Sequence, residues 1–252
     1  MKKILFSLVL LISCSKEIQS NIIIQDYVDD RVSILSKDYV KKTSEKLSNF
    51  AKKTKVQIVV LLVDNIGKND LDTYVNQIAN ENKIGEKYVN NGILIFLSKN
   101  DKKIRINVGC GLEWIISDNV AKNIIDTMIP DLKAGKFELA FNYAINKIIS
   151  MSESVSWNIS DKSLTQIEKS DLGSIFQFRG IKLREEPVTN LEYDNQSNES
   201  LVLKTKEGIE INLLITLYRY YTYFIDEKKE RTITARLVKT NPLTFQLLGV
   251  ER

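Results

Sequence analysis

Histidine is absent from the 252-residue sequence. That absence excludes a Ser-His-Asp triad, a Cys-His nucleophile pair and any His-ligated zinc. Cysteine occurs only twice, too seldom for a disulfide framework. Neither sign of charge is in excess: 36 Lys and Arg face 32 Asp and Glu, a net charge of +4. From Val155 onward the two signs are equal at 14 each. Neither half therefore carries the basic footprint of a nucleic-acid binder, and no nucleic-acid partner is expected. No later run reaches the ~20 apolar residues that a membrane-spanning helix needs. What is present is 43% hydrophobic and 27% charged residues, enough for one large domain or two ordinary ones.

The amino terminus reads as an address. Met1-Lys2-Lys3 is a short basic start, and Ile4 to Ile12 is an almost pure apolar run, too short to span a bilayer. Leu11-Ile12-Ser13-Cys14 then resembles a bacterial lipoprotein signal, with cleavage before Cys14 and acylation (palmitate-type chains) on that residue. The alternative is an ordinary signal peptide with an incidental cysteine. Two or three acyl chains give durable anchoring where one does not. Residues 1–13 are thus expected to be the signal peptide and 14–21 a tether. The mature chain is expected in the bacterial cell envelope, lipid-anchored and extracytoplasmic, with the leaflet undetermined. With Cys14 acylated, Cys110 is the one thiol left.

Two regimes of periodicity follow. Val40, Leu47, Phe50 and Ala51 recur at helical spacing after Leu35-Ser36. Val56 to Val63 is apolar except at Gln57, which predicts a strand buried on both faces. A helical stripe from Leu71 to Ala79, a turn at Asn90-Asn91-Gly92 and a second apolar strand from Ile93 to Leu97 come next. Ile104, Ile106 and Val108 alternate with polar residues as an antiparallel strand would, beyond a polar loop at residues 99–102. Two helices complete the segment, the first expected to end at Pro130. This order predicts an α/β layer domain over residues 22–150, a mixed sheet flanked by helices, with its first two strands parallel. Residues 151–164 are serine-rich and read as a linker. From 165 to 252 the period changes to two, clearest from Ile209 to Leu217. That predicts a smaller antiparallel β domain, a meander of about five strands, with Gly180 as a candidate bulge.

The first segment resembles the TPM-domain family. The resemblance runs from Tyr27 to about Ile149 and rests on motifs in order. They are Tyr27-Val28-Asp29-Asp30, Ile34-Leu35-Ser36, Ile84-Gly85, Asn90-Asn91-Gly92 before an apolar strand, Gly109-Cys110-Gly111-Leu112-Glu113, Ser117-Asp118, and Gly135 with Phe137. Cys110 replaces the family's tyrosine, Lys102 its arginine and Lys55 a frequent glycine. The family is functionally mixed. It includes a thylakoid-lumen photosystem II repair factor with acid phosphatase activity, an animal accessory protein of acetylcholine receptors, and bacterial members with calcium sites. The resemblance implies an extracytoplasmic module that works on or with other proteins near a membrane.

Candidate site residues follow from the hairpin, which returns the end of its second strand beside Asn91-Gly92. Glu113 and Asp118 lie within a few residues of that point, and Asp30 is expected to fold over the same edge. Carboxylates are hard ligands suited to Ca²⁺ or Mg²⁺, and no other cofactor is expected. The competing readings are that Asp118 complements a helix dipole beside a Ser117 cap and that Glu113 pairs with a lysine. Cys110 lacks the histidine base a nucleophile would use and reads as an idle thiol. Tyr218, Tyr220 and Tyr221 form an aromatic run that suits either an interface or a strand core. The favoured reading is an accessory or protein-interaction lipoprotein whose partners are the membrane, through its lipid, and an unidentified envelope membrane protein or complex. Two alternatives stay open: a metal-dependent phosphatase acting on phosphoesters, and an envelope structural protein without a site.

Overall fold

A computed structural model describes residues 22–87, 89–186, 198–216 and 229–250. Cys14, Tyr218, Tyr220 and Tyr221 lie outside the described residues.

Ser36 opens α1 (Lys37–Thr54) by accepting from Tyr39 N, and Lys55 closes it in a left-handed conformation at φ 67°. The chain then enters β2 (Gln57–Val63), crosses over through α2 (Leu71–Glu81) and returns in β3 (Gly92–Ser98). The two strands pair in parallel from Gln57↔Gly92 to Val63↔Ser98, as the crossover requires. A tight turn leads into β4 (Lys103–Val108), antiparallel to β3. A three-residue strand, β1 (Val28–Asp30), adds in parallel to the other side of β2. The sheet order is β1-β2-β3-β4.

Both faces of this sheet are covered, which is why its central strands are apolar without alternation. On one face Ile58, Val60, Leu62, Ile93 and Ile95 pack with Leu47 of α1 and with residues of α3 (Asp118–Lys133) and α4 (Phe137–Ser152). On the other, Val59, Leu61, Leu94 and Phe96 pack with Tyr74, Val75 and Ile78 of α2. Helix α3 runs three residues beyond Pro130, where the sequence predicts its end. Proline removes one backbone donor, but the turn continues because Ala134 N donates to Pro130 O at 3.0 Å.

The second region is a barrel. After β5 (Ile159–Ser160) come β6 (Ile175–Glu186), β7 (Asn198–Thr205), β8 (Glu210–Thr216), β9 (Arg231–Thr240) and β10 (Leu243–Val250). Their order is β5-β6-β7-β8-β10-β9, and β6 pairs with β9 as well, so β6 to β10 form a closed ring of five strands. The predicted meander is corrected in its order: β8 takes β10 as its neighbour, in parallel, instead of β9, and β9 pairs with β10 and β6. That Greek-key order is the arrangement of an OB-type barrel. Gly180 is where β6 changes partner, pairing with Arg231 of β9 on one side and Thr205 of β7 on the other. The irregularity in β6 falls nearby, between Lys182 and Arg184. Phe245 sits at the barrel's centre, its ring 5.8 Å from that of Phe176 and 5.3 Å from that of Phe178.

The stretch predicted as a linker is more ordered than its serine content suggests. Helix α4 continues to Ser152, and Ile159–Ser160 already belong to the barrel sheet. Among the described residues no helix is long and apolar enough to cross a membrane.

Candidate functional site

The edge of the first sheet that carries the two glycine motifs is built by close backbone approach. Gly109 N donates to Gly92 O at 2.8 Å and Gly111 N to Asn90 O at 3.1 Å. A Cβ on Gly109 would lie 2.1 Å from Asn90 O, and one on Gly111 would lie 2.0 Å from Val89 O. Only glycine fits at either position. Asn91 is fully buried, and its side chain joins two loops: Nδ2 donates to Lys55 O at 2.8 Å and Oδ1 accepts from Glu86 N at 2.7 Å. Asn91 is therefore a structural hub rather than a ligand.

The turn after Gly111 delivers the acidic residues. Glu113 is partly buried and its carboxyl is pushed up to about 7, first by burial and second by the charge of Asp118. Asp118 is exposed in the first turn of α3, where Ser117 caps the helix by accepting from Val120 N at 3.3 Å. Both the sequence-based reading of a helix-dipole acid and the coupling of Glu113 to Asp118 are thus present together.

Asp30 does not join them. β1 runs parallel to β2, so Asp30 lies opposite Leu62, which lies opposite Leu97, near the far end of β3 from Gly92. Five residues of strand put that row about 16 Å from the Gly92 edge. There the Asp30 carboxylate accepts from Val32 N and Leu35 N, at 3.1 and 2.8 Å, and closes its own turn. Among the described residues no three His, Cys, Asp or Glu side chains come together as a metal-binding group.

The glycine edge is covered in part: Asn91, Gly92 and Gly111 are buried, while Asn90 and Gly109 keep some exposure. The barrel lies over part of it. Leu248 O of β10 accepts from Asn90 Nδ2 at 2.7 Å and from the Cys110 thiol. Val89, Ile175 and Leu248 form a small core of their own, with Trp157 packed against it. A Cβ on Gly111 would also come within 2.9 Å of the Trp157 ring. Cys110 is 4% exposed, so burial and the Leu248 carbonyl account for it without a reaction.

The TPM domain family profile matches residues 28–151. This segment is a TPM domain. Two solved structures are similar to the chain. One is the N-terminal domain of a protein from P. gingivalis, 24% identical, with 50% of this chain and 81% of that chain covered at a TM-score of 0.46. The other is the N-terminal domain of a Corynebacterium glutamicum protein, 16% identical, covering 57% of this chain and 97% of that one at a TM-score of 0.40. No curated protein matches the chain. Within the TPM domain, the sequence motifs at Asn90-Asn91-Gly92 and Gly109 to Glu113 prove to be one edge, and the barrel's β10 is the element laid over it. What sequence reasoning missed is Arg236 of β9, which reaches this junction. The chain's only two tryptophans, Trp114 and Trp157, both lie against its guanidinium, and their scarcity was the available signal.

Proposed function

We propose that the chain is an extracytoplasmic accessory lipoprotein: a TPM domain held at a membrane by acylated Cys14, acting by binding a membrane protein or complex of the cell envelope rather than by turnover. The observation that supports it is the partly covered glycine edge. A phosphatase that worked there would need that edge open to substrate, and β10 lies over part of it through Leu248. The signal-like run before Cys14 supports the anchor. Cys14→Ser should shift the protein from the membrane fraction to the soluble fraction or leave its signal uncut; unchanged partitioning with normal processing overturns the anchor. Detergent-solubilised envelope cross-linked to the wild-type chain should yield a stoichiometric envelope partner. Phosphoester turnover with Mg²⁺, Mn²⁺ or Ca²⁺ that Glu113→Gln abolishes would overturn the accessory reading in favour of the phosphatase.

A weak divalent-cation site at Glu113 and Asp118 is the second reading, supported by the proximity of the two carboxyls. Ca²⁺ or Mg²⁺ at millimolar levels should then raise the melting temperature of the wild-type chain and not that of the Glu113→Gln, Asp118→Asn double variant. Equal response of both proteins places no cation at these residues.

A further inference from the structure

Arg236 is a buried guanidinium, 3% exposed, at the junction of the TPM domain and the barrel. Its NH1 group donates to Gly173 O at 2.5 Å and its NH2 group to Ser156 O at 3.3 Å. Its Nε is buried and has no hydrogen-bond partner among the described residues. The guanidinium carbon stands 4.7 Å from the centroid of the Trp114 ring and 5.4 Å from that of Trp157. None of the ion pairs among the described residues involves it. Burial drives its pKa down to about 10.

Interior charges are normally paired with an opposite charge. Two indole faces and two carbonyls solvate this cation in part, yet supply no net negative charge. A guanidinium also has five N–H donors in a fixed fork, and two carbonyl contacts leave part of that fork unused. Among the described residues, therefore, the position has both a charge without a counter-charge and spare donors.

It also has space beside it. Arg236 lines a cavity of about 500 Å³ between the turn at Trp114 and Ile115, the end of α4 and the strand starts of the barrel. That volume suits a small-molecule ligand. Among the described residues of the lining, Arg236 is the one that carries a charge. Ile115, Met151 and Leu172 give the cavity apolar walls, while Ser156 and Asn158 add neutral polar groups. A charged head facing the guanidinium and a short apolar body against Ile115, Met151 and Leu172 would match the charge and the apolar walls of the cleft.

We propose that this cleft binds a small organic anion, a carboxylate or phosphate head on a short apolar body, with Arg236 as the group that recognises the head. The proposal is independent of the accessory reading, since neither Cys14 nor a protein partner enters it. An anion held here would touch both the TPM domain and the barrel and so brace their junction.

Intrinsic fluorescence reports on this site, because both tryptophans of the chain flank Arg236. The full chain in detergent is titrated with hexanoate, with butyl phosphate, and with hexanamide as a neutral control. A saturable emission change with hexanoate or butyl phosphate, and none with hexanamide, is expected, and the stronger of the two anions identifies the head. Ser156→Asp places a carboxylate in the cleft beside the carbonyl that Arg236 already uses, and should weaken anion binding by on the order of tenfold or more. Arg236→Gln should do the same. Should that variant fail to fold, Ser156→Asp decides alone. The proposal is overturned by no saturable response to either anion, by an equal response to hexanamide, or by undiminished binding in Ser156→Asp or in folded Arg236→Gln.

Discussion

At Glu113 a partly buried carboxyl sits beside a second carboxylate, and the consequence is a pH-dependent stability. Its pKa rises from an ordinary 4.5 to about 7 in the folded chain. Between those values the folded state holds a proton that the unfolded state releases. The contribution is therefore fully present below about 4.5 and is lost as pH rises through 7. Glu113→Gln keeps the shape and removes the charge. It should leave the melting temperature unchanged at pH 4 and raise it at pH 8. One pKa unit corresponds to about 1.4 kcal/mol, and partial solvent screening brings the expected gain to on the order of 1–2 kcal/mol. Thermal unfolding of both proteins across that range measures it. A variant that is less stable at pH 8 would show that the ionised carboxylate is held by favourable contacts instead. The Glu113–Asp118 pair was legible in the sequence because five residues of spacing keep it local. Asp30 was not, because its position depends on β1 lying parallel to β2, and no local pattern records the direction of a three-residue strand with two acidic residues.

The elements of the TPM domain were the most legible part, and the reasons are physical. An unbroken apolar run needs both sheet faces covered, and α2 on one side with α1, α3 and α4 on the other supply the cover. The barrel was legible only in part. Alternation shows which residues point inward, and Leu201, Leu203, Ile211, Leu213 and Ile215 all do. It does not show which strand lies alongside, so the parallel β8–β10 pair was hidden. One element end carries a prediction of its own. Lys55 terminates α1 at φ 67° and ψ −6°, donating its N–H to Ala51 O. A side chain in that left-handed region costs about 1 kcal/mol, and glycine does not bear that cost. The sequence resemblance noted a frequent glycine at this position, and the helix end explains it. Lys55→Gly should stabilise the protein by about 0.5–1 kcal/mol after the added freedom of the unfolded chain is counted. Chemical denaturation would register this as a higher midpoint with the slope unchanged. A lower midpoint would mean that the lysine side chain contributes more than its backbone strain removes.

At the scale of the whole molecule, the question is whether the TPM domain and the barrel stay joined in solution, and Cys110 answers it. The thiol is 4% exposed and is covered from the barrel side by Leu248, whose carbonyl it contacts. Around it Asn90 Nδ2, Val89, Ile175 and Trp157 complete the junction. Among the described residues the hydrogen-bond partner of the thiol is Leu248 O, on the barrel side, so separation of the two parts is expected to expose the sulfur. We propose that residues 22–152 and the barrel are separate folding units, since each has its own apolar core. On that basis the fragment 22–152 should fold alone, yet its Cys110 should react with a thiol reagent far faster than in the intact chain. The comparison uses Cys14→Ser in the intact protein, which leaves Cys110 as its one thiol. Slow labelling of the intact chain and rapid labelling of the fragment, with matching circular dichroism in the helical region, is the expected result. Rapid labelling of both would mean that the junction opens readily, and the Arg236 cleft with it. Slow labelling of both would mean that the TPM domain buries Cys110 unaided and that the barrel is a neighbour rather than a lid. Aggregation of the fragment would show that the covered edge is required for folding, and the two parts would then count as one unit.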